Sequence, residues 1–159
     1  MNRYHALRRE LCLLCAIVVS ALATTTPSPV EASFAVAGVS AEAAQRFLES
    51  LQRAVAADDP NAVSELVWYP LRVNSKHRSR EIHDKKEFIA SYAKIFDQEV
   101  RAAILAQRFD ELFANWQGVM IGSGSVWFGA TIEENAAQGR LHVFAVNKGA
   151  QKTGRPTTP

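Results

Sequence analysis

Three groups of residues in this chain have the types and spacing to do chemistry. The first is histidine: His77 and His83 lie in a polar, basic stretch, and His142 lies in a late β-rich run. Metal binding needs ligands that converge, such as two histidines four apart on a helix, and none of these spacings supplies that, so no metal site is expected. His142 is the useful exception, because a strand histidine facing a cavity can give or take a proton near neutral pH. Its structural alternative is a local hydrogen bond. The second group is the basic run from Arg72 to Lys86, with Arg72, Lys76, Arg78, Arg80, Lys85 and Lys86 against Glu81 and Asp84. Arg72, Lys76, Arg78 and Arg80 are candidates for gripping an anionic ligand or an acidic partner surface. Such a run also serves as a solvated loop and helix start. It carries no interleaved aromatics, so stacking on nucleic-acid bases is not expected.

The third group is aromatic. Trp68, Trp116 and Trp127, with Tyr69, Tyr92, Phe113, Phe128 and Phe144, have the bulk to line an apolar pocket, and Asn74, Asn115, Gln117 and Asn147 would be its polar handles. The candidate ligand set is Asn74, Tyr92, Asn115, Trp116, Gln117 and Trp127. Asn115-Trp116-Gln117-Gly118 stands out, because amides flanking a strand tryptophan need hydrogen-bond partners if buried. Core packing and a structural amide network are the competing explanations.

These residues must be positioned by a small set of elements. Ser40 reads as an N-cap with Glu42 in the first turn, and Ala44, Phe47, Leu48, Leu51 and Val55 recur on one helical face. Asp59-Pro60 caps and starts a second helix, with Ala62, Val63, Leu66 and Val67 on its apolar side. Pro70 blocks further helix, and Leu71 to Asn74 alternates as a short strand, followed by a loop over Ser75 to Ser79. Asp84 with Glu87 forms a capping box for a third helix carrying Phe88, Ile89, Tyr92, Ile95 and Phe96, and Asp97 caps a fourth with Val100, Ile104 and Leu105 inward. Beyond Gln107 the chain turns β-rich. Residues 116–121 and 125–131 read as a hairpin joined by Gly122-Ser123-Gly124, Glu133 to Gly139 as a loop, and Leu141 to Val146 as the last strand. Helices first and antiparallel strands after them give an α+β class, with N-terminal helices packed on one face of a curved antiparallel sheet.

The chain has 159 residues, 48% of them apolar, enough for one domain with its own core and too apolar for a disordered chain. Its first 23 residues have the layout of a secretory signal peptide: Arg3, Arg8 and Arg9, an apolar run from Leu11, then Ala21-Leu22-Ala23. A membrane anchor would need ~20 mostly apolar residues, whereas Thr24 to Pro29 is polar and helix-breaking. Cleavage is expected between Ala23 and Ala32, giving an exported, periplasmic or secreted protein with no membrane contact. Cys12 and Cys15 each follow a leucine, which does not fit a lipoprotein site. Removal of residues 1–23 takes both cysteines, three of the 18 basic side chains and one of the 16 acidic ones. The remaining domain would be neutral and free of thiol chemistry. Residues 24–39 read as a flexible lead, 40–147 as the folded domain and 148–159 as a disordered tail.

Leu112-Phe113-Ala114-Asn115-Trp116-Gln117-Gly118-Val119-Met120-Ile121-Gly122, followed by Val126-Trp127-Phe128-Gly129 and preceded by Tyr69-Pro70-Leu71-Arg72-Val73, is similar to a group of small secreted bacterial proteins. That group belongs to the nuclear transport factor two-like (cystatin-like cone) superfamily. The resemblance spans about residues 40–147. It implies a cone-shaped cavity between helices and sheet, no cofactor, and a tendency to pair through the sheet as a homodimer. It says little about chemistry, since isomerases, dehydratases, binding domains and transport factors share the scaffold. Enzymes of the ketosteroid isomerase kind hold a carboxylate base and a hydrogen-bond donor inside the cone. No carboxylate falls in residues 69–74, 116–131 or 141–147. A base would have to enter from Asp97 or Asp110 at the rim, with His142 or Tyr92 as partner. The leading expectation is therefore an exported module without catalysis that uses its cavity or sheet face to bind a small apolar ligand or an envelope protein. A cofactor-free isomerase or lyase is the alternative.

Overall fold

The computed structural model describes residues 29–131 and 139–149, with side chains from Ser33 onward. The expected signal peptide, the lead before residue 29, most of the loop at 133–139 and the tail from residue 150 lie outside the described residues. Within them the fold is α+β.

Four local signals place the helices. Ser40 accepts from Ala43 N and starts α2 (Ala41–Ala56), and Asp59 accepts from Asn61 N and Ala62 N to start α3 (Pro60–Ser64). Asp84 caps α4 (Lys85–Ile95) through Glu87 N, while the Glu87 carboxylate reaches back one residue past the cap to accept from His83 N, a variant of the expected capping box. Asp97 caps α5 (Gln98–Ala106) through Val100 N. A further helix, α1 (Pro29–Val36), occupies the expected flexible lead. Phe34 anchors it: its ring is fully buried and stacks on Phe109 at 5.6 Å, so one aromatic side chain outweighs a stretch poor in helix signals.

The strands among the described residues are β1 (Val67–Ser75), β2 (Arg78–Ile82), β3 (Phe113–Asn115), β4 (Gly118–Ile121), β5 (Val126–Thr131) and β6 (Arg140–Asn147). They form one sheet in the order β2-β1-β6-β5-β4-β3, which does not close. Three expectations are corrected. The sheet is mixed, because β1 and β6 run parallel; two helices and the whole meander separate them, and a long connection of that kind permits parallel pairing. The stretch from Ser75 to Ser79 is a tight hairpin, with Ser75 opposite Arg78 and β2 paired along β1. The strand before it begins at Val67, which ends the second helix early and carries Pro70 through an irregular register between Val67 and Arg72.

The helices cover one face of this sheet. Val67, Leu71 and Val73 of β1, Val119 and Ile121 of β4, Val126 and Phe128 of β5, and Val143 and Val146 of β6 are all buried there. Phe47 of α2 stacks on Phe128 at 4.7 Å, and Phe88, Tyr92 and Phe96 form an aromatic cluster with centroids 5.6–5.9 Å apart. These buried rings lie between the helices and the sheet. Gln52 fastens α2 to the end of α5 by donating to Ile104 O and Gln107 O at 2.9 Å each, which satisfies carbonyls that the helix end leaves open.

Candidate functional site

Strand alternation turns every second residue toward the other face, which is helix-free among the described residues. In β1 these are Trp68, Pro70, Arg72 and Asn74. They line a cleft of about 530 Å³ together with Glu81 of β2, Trp127 of β5, Phe144, Ala145 and Asn147 of β6, and Gln117 of the β3–β4 turn. One lateral row runs across the whole sheet on this face. Phe113 opposes Met120, Met120 opposes Trp127, Trp127 opposes Ala145, Ala145 pairs with Arg72, and Arg72 with Glu81. The row is apolar at the β3 edge and charged at the β2 edge.

Two devices shape the cleft. At its floor, Phe144 belongs to the irregular stretch of β6, where the register with β5 shifts between Trp127 and Phe128. Its ring lies over two glycines: a Cβ at Gly118 would come within 3.1 Å of Phe144 Cζ, and one at Gly129 within 3.3 Å of Phe144 Cε1. Gly118 also has φ +134°, a conformation that disfavours any side chain. At one end an amide chain closes the strands. Ser79 Oγ donates to Asn74 Oδ1 at 2.7 Å, Asn74 Nδ2 donates to Asn147 Oδ1 at 2.7 Å, and Asn147 Nδ2 donates to Gly124 O at 2.6 Å.

The sequence-derived candidates divide accordingly. Asn74, Gln117, Trp127 and Arg72 meet in the cleft. Asn115 does not: its Oδ1 accepts from Gln117 N at 2.8 Å, an Asx turn that shapes the two-residue β3–β4 loop. Trp116 stands at the tip of that loop, 78% exposed, beside the cleft rather than in it. Tyr92 lies on the opposite side of the sheet, buried among Phe88 and Phe96 with the Arg101 guanidinium 5.5 Å from its ring centroid. The four basic candidates do not converge. Arg72 faces the cleft, Arg80 opposes inward-facing Val73, Arg78 opposes Ser75, and Lys76 sits in the hairpin turn.

The acid–base candidates are also dispersed. Asp97 caps α5 and pairs with Lys148 at 3.1 Å. Asp110 is exposed, and its hydrogen-bonded partner Arg108 holds the carboxyl below its ordinary value. His142 is buried on the helix-free face, with Nδ1 2.6 Å from Thr131 Oγ1 and its ring 5.7 Å from Trp68. No two of Asp97, Asp110, His142 and Tyr92 share a hydrogen bond or an ion pair among these contacts. Among the described residues no cluster of three or more His, Cys, Asp or Glu side chains has the geometry to hold a metal, and no helix is long and apolar enough to cross a membrane.

Trp68, Phe144 and Asn147, named from the sequence as possible pocket walls and handle, also line the cleft, and Glu81, read only as an offset to the basic run, joins them. Trp68, Pro70, Arg72 and Asn74 alternate at a period of two, which places them on one face once the strand is started at Val67. No protein-family model matches the chain, and no curated protein matches it.

Proposed function

We propose that this protein is an exported binding module, without catalysis of its own, that takes a small ligand with an apolar face in the cleft on the helix-free side of its sheet. One observation carries the reading: Trp68, Trp127 and Phe144, from three different strands, converge half-buried on a single cleft. The cleft volume falls within the range of ~300–1,000 Å³ usual for ligand sites, and a few polar groups on aromatic walls are the usual lining. The non-catalytic form of the reading is supported by the scatter of Asp97, Asp110, His142 and Tyr92 over separate parts of the molecule. The order of elements, helices, then a strand hairpin, then helices and a closing meander, supports assignment to the cone-fold superfamily, with the ligand on the outer sheet face instead of inside the cone.

Native mass spectrometry of the protein released from the cell envelope tests the reading. A bound small molecule that disappears in Trp127→Ala is the expected result. Protein that carries nothing, whatever the variant, would contradict it.

A further inference from the structure

We infer that the ligand of this cleft is an uncharged sugar, a pyranose ring or short glycan, stacked on the tryptophans and bonded through its hydroxyls to Arg72, Glu81 and Gln117. The inference rests on the reading of the cleft as a ligand site and adds the chemical class.

The charge pattern narrows that class. Arg72 and Glu81 are cross-strand neighbours and both line the cleft. Among the described residues, however, neither side chain forms a hydrogen bond or an ion pair. Cross-strand neighbours lie about 5 Å apart at Cα, well inside a Debye length of about 8–10 Å. An anion drawn to the guanidinium therefore meets the carboxylate, and a cation drawn to Glu81 meets Arg72. Charge selects against both.

What remains favours a neutral ligand that donates and accepts in equal measure. The Arg72 guanidinium is donor-only, the Glu81 carboxylate acceptor-only, and the Gln117 amide both. A hydroxyl group can serve all three. Asn74 and Asn147 are already committed to the amide chain that closes the cleft's end. The apolar part of the lining is flat indole and phenyl surface from Trp68, Trp127 and Phe144, which suits the C–H face of a sugar ring. A purely apolar ligand would leave Arg72, Glu81 and Gln117 desolvated and unpaired, which is unfavourable.

The test is a titration of tryptophan emission in the purified protein with cellobiose, maltose and N,N′-diacetylchitobiose, against 2-naphthoate as an anionic aromatic. The sugar inference expects a saturable shift with at least one disaccharide and none with 2-naphthoate. It also expects ~10-fold weaker sugar binding in Glu81→Gln, a change on an exposed edge strand that leaves the core untouched. Binding of 2-naphthoate that Trp127→Ala abolishes, with no response to the sugars, overturns the sugar class while the cleft reading stands. No response to any probe overturns the inference. If sedimentation then shows a dimer that Trp127→Ala dissociates, the occupant of the face is a second copy of the chain. A sugar response unchanged in both Trp127→Ala and Glu81→Gln places the sugar elsewhere and overturns the inference too.

Discussion

Asn74 Nδ2 donates to Asn147 Oδ1 at 2.7 Å across the parallel β1–β6 pair. Beside it, the next residue's backbone, Lys148 N, donates to Asn74 O at 2.8 Å. This contact ties the N-terminal hairpin to the C-terminal meander at the end of the cleft. Asn147→Ala would strand the Asn74 amide and free Gly124 O. The expected cost is ~1–3 kcal/mol in urea unfolding, with a coupling to Asn74→Ala of about 1 kcal/mol in a double-mutant cycle. Additive losses would show that the two amides act independently.

Gly118→Ala is expected to be costly. A Cβ there would lie 2.8 Å from the Phe128 carbonyl oxygen and 3.1 Å from the Phe144 ring, on backbone at φ +134°. The strained backbone alone costs ~1–3 kcal/mol. A fall in Tm is expected, with weaker ligand retention because Phe144 is displaced. Wild-type stability would contradict the packing of Phe144 on its two glycines.

Tyr92 is predicted to be dispensable. Its hydroxyl is buried without a hydrogen-bond partner among the described residues, so Tyr92→Phe removes a polar atom that burial penalises. The variant should be as stable as the wild type or more stable by ~1 kcal/mol. A loss of stability would mean that the hydroxyl is satisfied.

Alkaline pH should destabilise the fold through two tyrosines. Burial raises Tyr92, with Asp59 adding to it, and burial also raises Tyr69, with Glu65 and Asp84 adding. Both phenols are protonated in either state below about pH 10, so their contribution is complete there. Above that pH the unfolded chain ionises first, and stability falls until the folded-state values are passed. Urea midpoints should drop above pH 10, less steeply in Tyr69→Phe. A flat profile would contradict the burial of these hydroxyls.

Much of the helical part was legible in the sequence, because its signals are local. Ser40, Asp59, Asp84 and Asp97 each cap the helix their side chain announces. Strands β2 and β3 lack such signals. β2 reads Arg-Ser-Arg-Glu-Ile, with only Ile82 buried, and owes its structure to pairing with β1. β3 has three residues. The parallel β1–β6 pair joins residues far apart in the chain, which no local pattern encodes. The same limit applied to the site: Trp127, Gln117 and Asn74 were visible as residue types, whereas their meeting depends on the sheet order.

Salt should matter little to ligand retention. Arg72 is the basic candidate in the cleft, and Glu81 offsets it. Raising ionic strength from about 0.1 M to 1 M shortens the Debye length from about 10 Å to 3 Å, and retention should change less than ~3-fold. A ~10-fold loss would point to a partner docking through the basic hairpin.

The proposed ligand site lies on the helix-free face of the sheet and not beneath the helices. A side-by-side measurement of ligand retention by native mass spectrometry in Trp127→Ala and Tyr92→Phe tests it most directly. The prediction is loss of the bound molecule in Trp127→Ala and wild-type retention in Tyr92→Phe. Retention in Trp127→Ala together with loss in Tyr92→Phe would contradict it.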